Sequence, residues 1–258
     1  MTHPPDIEKL RGRIAAIERA QPENTAPAVA TGFAVIDRHL PGGGLRPGRL
    51  HDILAAPGHH AAASGFAARI AARFAARGGE VLWCLRRDDL HAPGLLPLGL
   101  DPARVIIAWC VRDDDLLWSM EEGLRCSAVA AVIGDCRNAD PLAQRRLQLA
   151  AETGGGAGLL LREAVSGVRV LNTPDSRWRI AAAPSPAPPL RPGHPPVAWH
   201  IRLERLRGVQ PTEWVVFDGE DPGSERPEMD MTQMNTDEHG WLRQPGQAAA
   251  IEPGRKAG

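Results

Sequence analysis

Three near-continuous apolar runs constrain this chain's fold most strongly. They are "EVLWCL" (Glu80–Leu85), "RVIIAWCV" (Arg104–Val111) and "SAVAAVIGDC", whose charged end is Asp135. None of them alternates polar with apolar residues. Strands of that kind are buried on both faces, as in a parallel sheet covered by helices on either side. The segments between them carry a helical period. Phe66, Ile70 and Phe74 mark one buried helix face, with Arg69, Arg73 and Arg77 on a solvated one. Leu116, Leu117, Met120 and Leu124 mark a second helix over 113–126, and 142–152 reads as a third. Leu50 to Ala55 is a further strand, and Leu159 to Leu161 opens another after a glycine loop. Strands alternating with helices predict an α/β fold, in which ligands bind at the carboxyl ends of the strands.

The character changes beyond that core. "RVLNTPDSRWRIAAAP" and "VAWHIRLERLRGVQPTEWVVFD" alternate in part and predict an antiparallel extension of the sheet. Pro184 to Pro196 reads as an exposed proline-rich loop. Residues 219–258 are acidic and poor in apolar residues, which predicts a disordered tail whose apolar anchor is Trp241-Leu242. At the other end, Ile7, Leu10, Ile14 and Ile17 form a narrow helical stripe suited to docking, followed by a Pro-containing linker. The expected organisation is therefore a helix and linker over 1–30, a core domain over 31–218 and a tail over 219–258.

Composition excludes several classes. A net charge of −1 leaves no global field for nucleic acid. The four cysteines form no CxxC pair, so no zinc site is expected, and three lie in or beside apolar runs, as buried thiols of a reducing compartment do. No signal-peptide pattern or membrane-length apolar run is present, and a cytoplasmic protein is expected. The lysines are confined to Lys9 and Lys256, so the core domain has none.

That matters at "HDILAAPGHHAAASGFAARIAARF", residues 51–74, which has the layout of a phosphate-binding loop: a strand, a Pro-Gly turn, small residues, a helix. A working loop wraps the phosphates in backbone amides and neutralises them with a lysine. Here Ala61-Ala62 falls near the expected Lys-Ser/Thr pair. Pro57, Gly58, His59, His60, Ala61 and Ala62 therefore read as a degenerate nucleotide loop. His59 and His60 are either solvated loop histidines or donors to phosphate when protonated. Ser64 is a magnesium-type hydroxyl only in a shifted frame. Asp135 either caps the turn after its strand or binds a metal. Asp113, Asp114 and Asp115 open a helix, where acids suit the dipole. His51, Asp52 and Ser64 lack the nucleophile elbow of a hydrolase triad.

In order and spacing, "TGFAVIDRHLPGGGLRPGRLHDIL", "GLDPARVIIAWCVRDDDLLWSMEEGL" and "AAVIGDC" resemble a RecA-like core, with Asp135 at the Walker B position and Arg87 near the water-activating glutamate. "SRWRIAAAPSPAPP" followed by "WHIRLERLRG" narrows the resemblance to the ImuA family, over about residues 6–218. The resemblance implies a non-catalytic accessory factor of SOS-induced translesion synthesis. It would act with an ImuB-like inactive Y-family subunit, an error-prone C-family DNA polymerase and RecA, touching DNA weakly or indirectly. No cofactor is expected on this reading. Partner surfaces expected from the residues are the stripe Ile7, Leu10, Ile14 and Ile17, the arginines Arg177, Arg179, Arg202, Arg205 and Arg207, and Trp241. The alternatives are a RecA-type ATPase with an unusual loop and a SulA-like division inhibitor.

Overall fold

A computed structural model describes residues 26–164, 174–185 and 197–218. Its centre is an eight-stranded sheet in the order β3-β2-β4-β5-β1-β6-β7-β8. The strands are β1 (Leu50–Ala55), β2 (Glu80–Leu85), β3 (Val105–Trp109), β4 (Val129–Asp135), β5 (Ala157–Glu163), β6 (Ser176–Ala182), β7 (Ala198–Leu206) and β8 (Thr212–Phe217). The helices are α1 (Ala34–Asp37), α2 (His60–Ala75), α3 (Asp113–Arg125) and α4 (Pro141–Gly154).

The apolar runs pack as their composition demands. Strand β1 is buried at every position. On one face, α2 lays Phe66, Ile70 and Phe74 against Ile53, Trp83, Ile133 and Leu161. On the other, α3 and α4 press Leu116, Met120, Leu124 and Leu147 against Cys84, Val132 and Leu160. Gly134 is required in β4, because a Cβ there would stand 2.0 Å from Met120 Sδ. Asp140 caps α4 through the Ala143 amide at 2.6 Å, Pro141 starts it, and Gly155 ends it at φ +83°. Cys84, Cys110 and Cys136 are buried, and burial pushes the Cys84 and Cys136 thiols up to about 12, so both stay protonated.

Three expectations need correction. "RVIIAWCV" is not a buried strand: β3 is the edge of the sheet, with Ile106 and Trp109 more than half exposed at 52% and 56%. Apolar composition marks a strand, but not whether it has a neighbour on both sides. The antiparallel extension also begins one strand late. β6 pairs parallel with β1, and antiparallel pairing starts at β7. Finally, Arg69, Arg73 and Arg77 do more than face solvent. Arg69 bonds Asp218 and lies over the Phe33 ring, while Arg73 and Arg77 reach the carbonyls of Ala30 and Pro27. They tie the entering and leaving chain segments onto α2. The expected N-terminal helix, its stripe and the tail with Trp241 lie outside the described residues.

Candidate functional site

The degenerate loop sits at the carboxyl end of β1. Strand β1 ends at Ala55 and α2 starts at His60, so Ala56 to His59 alone connect them. A phosphate loop of the G-x-x-x-x-G-K type needs a longer excursion and a nest of amides. In this connection Gly58 alone has a positive φ, +77°. The His59 amide folds back on the Ala56 carbonyl at 2.9 Å. Its ring turns inward, where Nδ1 accepts the Ala182 amide of β6 at 3.1 Å. Burial lowers the His59 pKa and keeps that nitrogen a neutral acceptor.

His60 opens α2 and points across the sheet. Its Nε2 lies 3.1 Å from Asp135 Oδ1 at the end of β4. The approach lies off the line of the ring N–H, so the contact is first a Coulombic one. The Asp135 carboxylate raises the His60 pKa by its contact and its charge, against the effect of burial. A cation in a helix's first turn meets the unfavourable end of the dipole, a cost of about 0.3–1 kcal/mol. An opposite charge about 3–4 Å away near a protein surface outweighs that several-fold. Ser64, one turn along α2, places Oγ 3.4 Å from His60 Nδ1. Arg87, after β2, reaches within 3.9 Å of Asp135 Oδ2 and within 3.5 Å of Asp89.

Both Asp135 oxygens thus face cationic side chains. The two histidines are not solvated loop residues: one anchors the loop to β6 and the other pairs with Asp135. Nor does His51-Asp52-Ser64 assemble. His51 and Asp52 point to opposite faces of β1, and Ser64 lies against His60. His51 is fully buried against Ser176 at 2.8 Å, and burial lowers its pKa. The residues at this position do not match a triphosphate and its magnesium. No lysine is present, the loop is short, and the helix's first polar side chain is committed to the carboxylate that would serve the metal. Among the described residues, no three His, Cys, Asp or Glu side chains converge as metal ligands.

The expected arginine patch is divided. Arg177 is buried and donates Nε to Asp52 at 2.8 Å, while Arg162 holds the same carboxylate through two bonds of 2.8 and 2.6 Å. Arg179 pairs with Glu204. Arg205 is half-buried opposite Arg177, and burial followed by that neighbouring charge lowers its pKa. Arg202 and Arg207 are exposed. Asp52 and Arg162 were not legible as partners, because a buried carboxylate between two arginines leaves no local pattern in sequence.

No family model matches the chain. The protein ImuA of Caulobacter vibrioides strain NA1000 / CB15N is 38% identical over 202 residues, covering 74% of this chain and 83% of that protein. ImuA of strain ATCC 19089 / CIP 103742 / CB 15 matches to the same extent. The chain belongs to the ImuA family. A crystal structure of the RadB recombinase superposes with a TM-score of 0.54, covering 73% of this chain and 94% of that one. At 14% identity that likeness speaks for the fold alone, which is RecA-like. The chain thus has a RecA-like sheet, and a His60–Asp135 pair stands at the position of its phosphate-binding loop. Among the described residues no helix is long and apolar enough to cross a membrane.

Proposed function

We propose that this member of the ImuA family is a non-hydrolysing adaptor in SOS-induced translesion synthesis, a cytoplasmic protein that assembles with an ImuB-like Y-family subunit, an error-prone C-family polymerase and RecA. One observation carries the reading. His60 takes the oxygen of Asp135 that an active RecA-type site keeps for magnesium, and no lysine competes for it. A site satisfied by its own side chains has no call on a nucleotide. The fold then serves as a scaffold, and function passes to its surfaces. The stripe Ile7, Leu10, Ile14 and Ile17, the exposed arginines Arg202 and Arg207, and Trp241 are assigned to partner contacts.

The test is a pull-down of the purified chain against the ImuB-like subunit and against RecA, with and without ATP and magnesium. Both complexes should form equally well in either condition, with no phosphate released. A chain beginning at Ala26 should lose at least one of them. ATP hydrolysis that Asp135→Ala abolishes would overturn the reading and restore the ATPase. Filamentation of cells on overproduction, with no binding to the ImuB-like subunit, would replace the adaptor by a division inhibitor.

A further inference from the structure

Among the described residues, strand β3 has a neighbour on one side only, β2. The Cys110 amide bonds the Leu85 carbonyl at 2.8 Å, so the even-numbered residues of this stretch turn their backbone groups toward β2. Backbone direction alternates along a strand, so Ile107 and Trp109 turn N–H and C=O outward. Val105 turns its carbonyl outward too, while its amide donates to the Pro102 carbonyl. The side chains of this edge are apolar on both faces of the sheet. Val105, Ile107 and Trp109 stand in register with Val81, Trp83 and Leu85 on the α2 face, and Ile106 and Ala108 with Leu82 and Cys84 on the α3 face. Ile107 is 36% exposed, and Val111, just past the strand, 85%. No charged residue falls between Val105 and Val111, and the flanking Arg104 and Arg112 are held by the Gly79 carbonyl and by Asp115.

A row of outward amides and carbonyls takes one kind of occupant, another extended strand. We infer that this strand is β3 of a second copy, paired antiparallel about a two-fold axis midway between the two Ile107 residues. The edge is complementary to itself in that register. Ile107 meets Ile107, and the two exchange both their hydrogen bonds. Trp109 meets Val105, and its amide reaches the outward Val105 carbonyl. Ile106 meets Ala108 on the other face. Every pair is apolar on apolar, with an aromatic against a β-branched residue, and no like charges meet. A centre at any other residue leaves part of the strand unpaired. The two-fold also separates a second copy from a foreign strand. A foreign strand would cover this edge and become a new one, whereas the symmetric pair ends both edges at once and closes. The strip is short, as suits a dissociation constant on the order of micromolar.

Sedimentation equilibrium of the purified full chain from about 1 to 100 μM should show monomer and dimer in exchange. Ile107→Pro deletes the outward amide at the axis. An edge strand tolerates proline there, because no bond to β2 is lost. The variant should keep its circular dichroism and weaken the dimer by about tenfold or more. Cross-linking reads the register independently. Cys126→Ser first removes the exposed native thiol. In that background Ile107→Cys should form an intermolecular disulfide under mild oxidation, because a hydrogen-bonded pair sets the two Cα atoms about 5.5 Å apart. Ile106→Cys, facing Ala108 rather than itself, should form about tenfold less. A chain that stays monomeric throughout, a dimer that Ile107→Pro leaves intact, or equal cross-linking at the two positions would overturn the inference. So would a monomeric full chain whose form beginning at Ala26 dimerises, which would put this chain's own leading segment on the edge. The test uses no partner and no nucleotide, so it fails separately from the adaptor reading.

Discussion

His60 and Asp135 form an ion pair only while the ring carries its proton, and this makes the contact testable by pH. The His60 pKa is raised in the folded chain above its ordinary value near 6.5. The pair's contribution is therefore fully present below pH 6.5 and is lost as pH rises through the folded value. His60→Gln should cost on the order of 1 kcal/mol at pH 6 and nothing at pH 9, read from urea unfolding. A cost that does not change with pH would mean the ring acts by packing rather than by charge. Asp52 poses a harsher case. It is fully buried and holds two guanidinium groups. Asp52→Asn takes the shared carboxylate charge away from both, and such losses run to about 3–5 kcal/mol. Unfolding of that variant in urea should shift accordingly, and a shift below about 1 kcal/mol would show that water reaches the arginines. Residues of these two kinds were unequally legible. Asp135 ends an apolar strand, a local pattern that marks it. The partner of His60 and the two partners of Asp52 arrive from distant strands, and local pattern carries no trace of them.

Helices and strands were more legible than their neighbours. The periods of α2 and α3 gave their buried faces, since Phe66 and Leu116 lie in the core, whereas α4 was legible as a helix without its face being named. The position of β3 was not legible, because an edge strand and a central one can share the same apolar composition. That edge has a consequence. An apolar outer strand without charged or proline guards is an invitation to intermolecular pairing. Trp109→Lys should lower self-association at high concentration, measured by light scattering, and change stability by about 0.5 kcal/mol or less. If scattering is unchanged, the edge is already shielded in solution. The contact between α3 and β4 makes an opposite demand. Gly134→Ala would thrust a methyl against the buried Met120 thioether, and overpacking of this sort costs about 1–3 kcal/mol. Met120→Ala should therefore cost less in the Gly134→Ala background than alone, as a double-mutant cycle in urea would measure. Strict additivity would mean that the helix, rather than the side chain, moves aside.

Taken across the molecule, acid should act against the fold. Burial lowers the pKa values of His51, His59 and His200 in the folded chain. Each of these binds a proton more readily once unfolded, so stability falls as pH drops below about 6.5 and continues to fall toward the folded values. His51 donates to or accepts from Ser176 inside the sheet, His59 accepts the Ala182 amide, and His200 sits on β7 facing Glu213. These contacts knit β1, the short loop, β6 and β7, the region where the parallel sheet gives way to the antiparallel one. Among the described residues, His60 is the histidine that works in the other direction, because its proton is favoured in the folded state. Among the described residues, three buried histidines that lose stability in acid stand against this one, and the prediction follows the three. The urea midpoint of the full chain should fall between pH 7 and pH 5 with an unchanged slope. In His60→Gln the fall should be steeper, because the opposing proton is gone. In His59→Gln it should be shallower, because one of the three acid-sensitive groups has been removed. A midpoint that holds steady or rises toward pH 5 would mean that these histidines gain water or partners on protonation, and that the loop opens at His59 without cost to the sheet it is tied to.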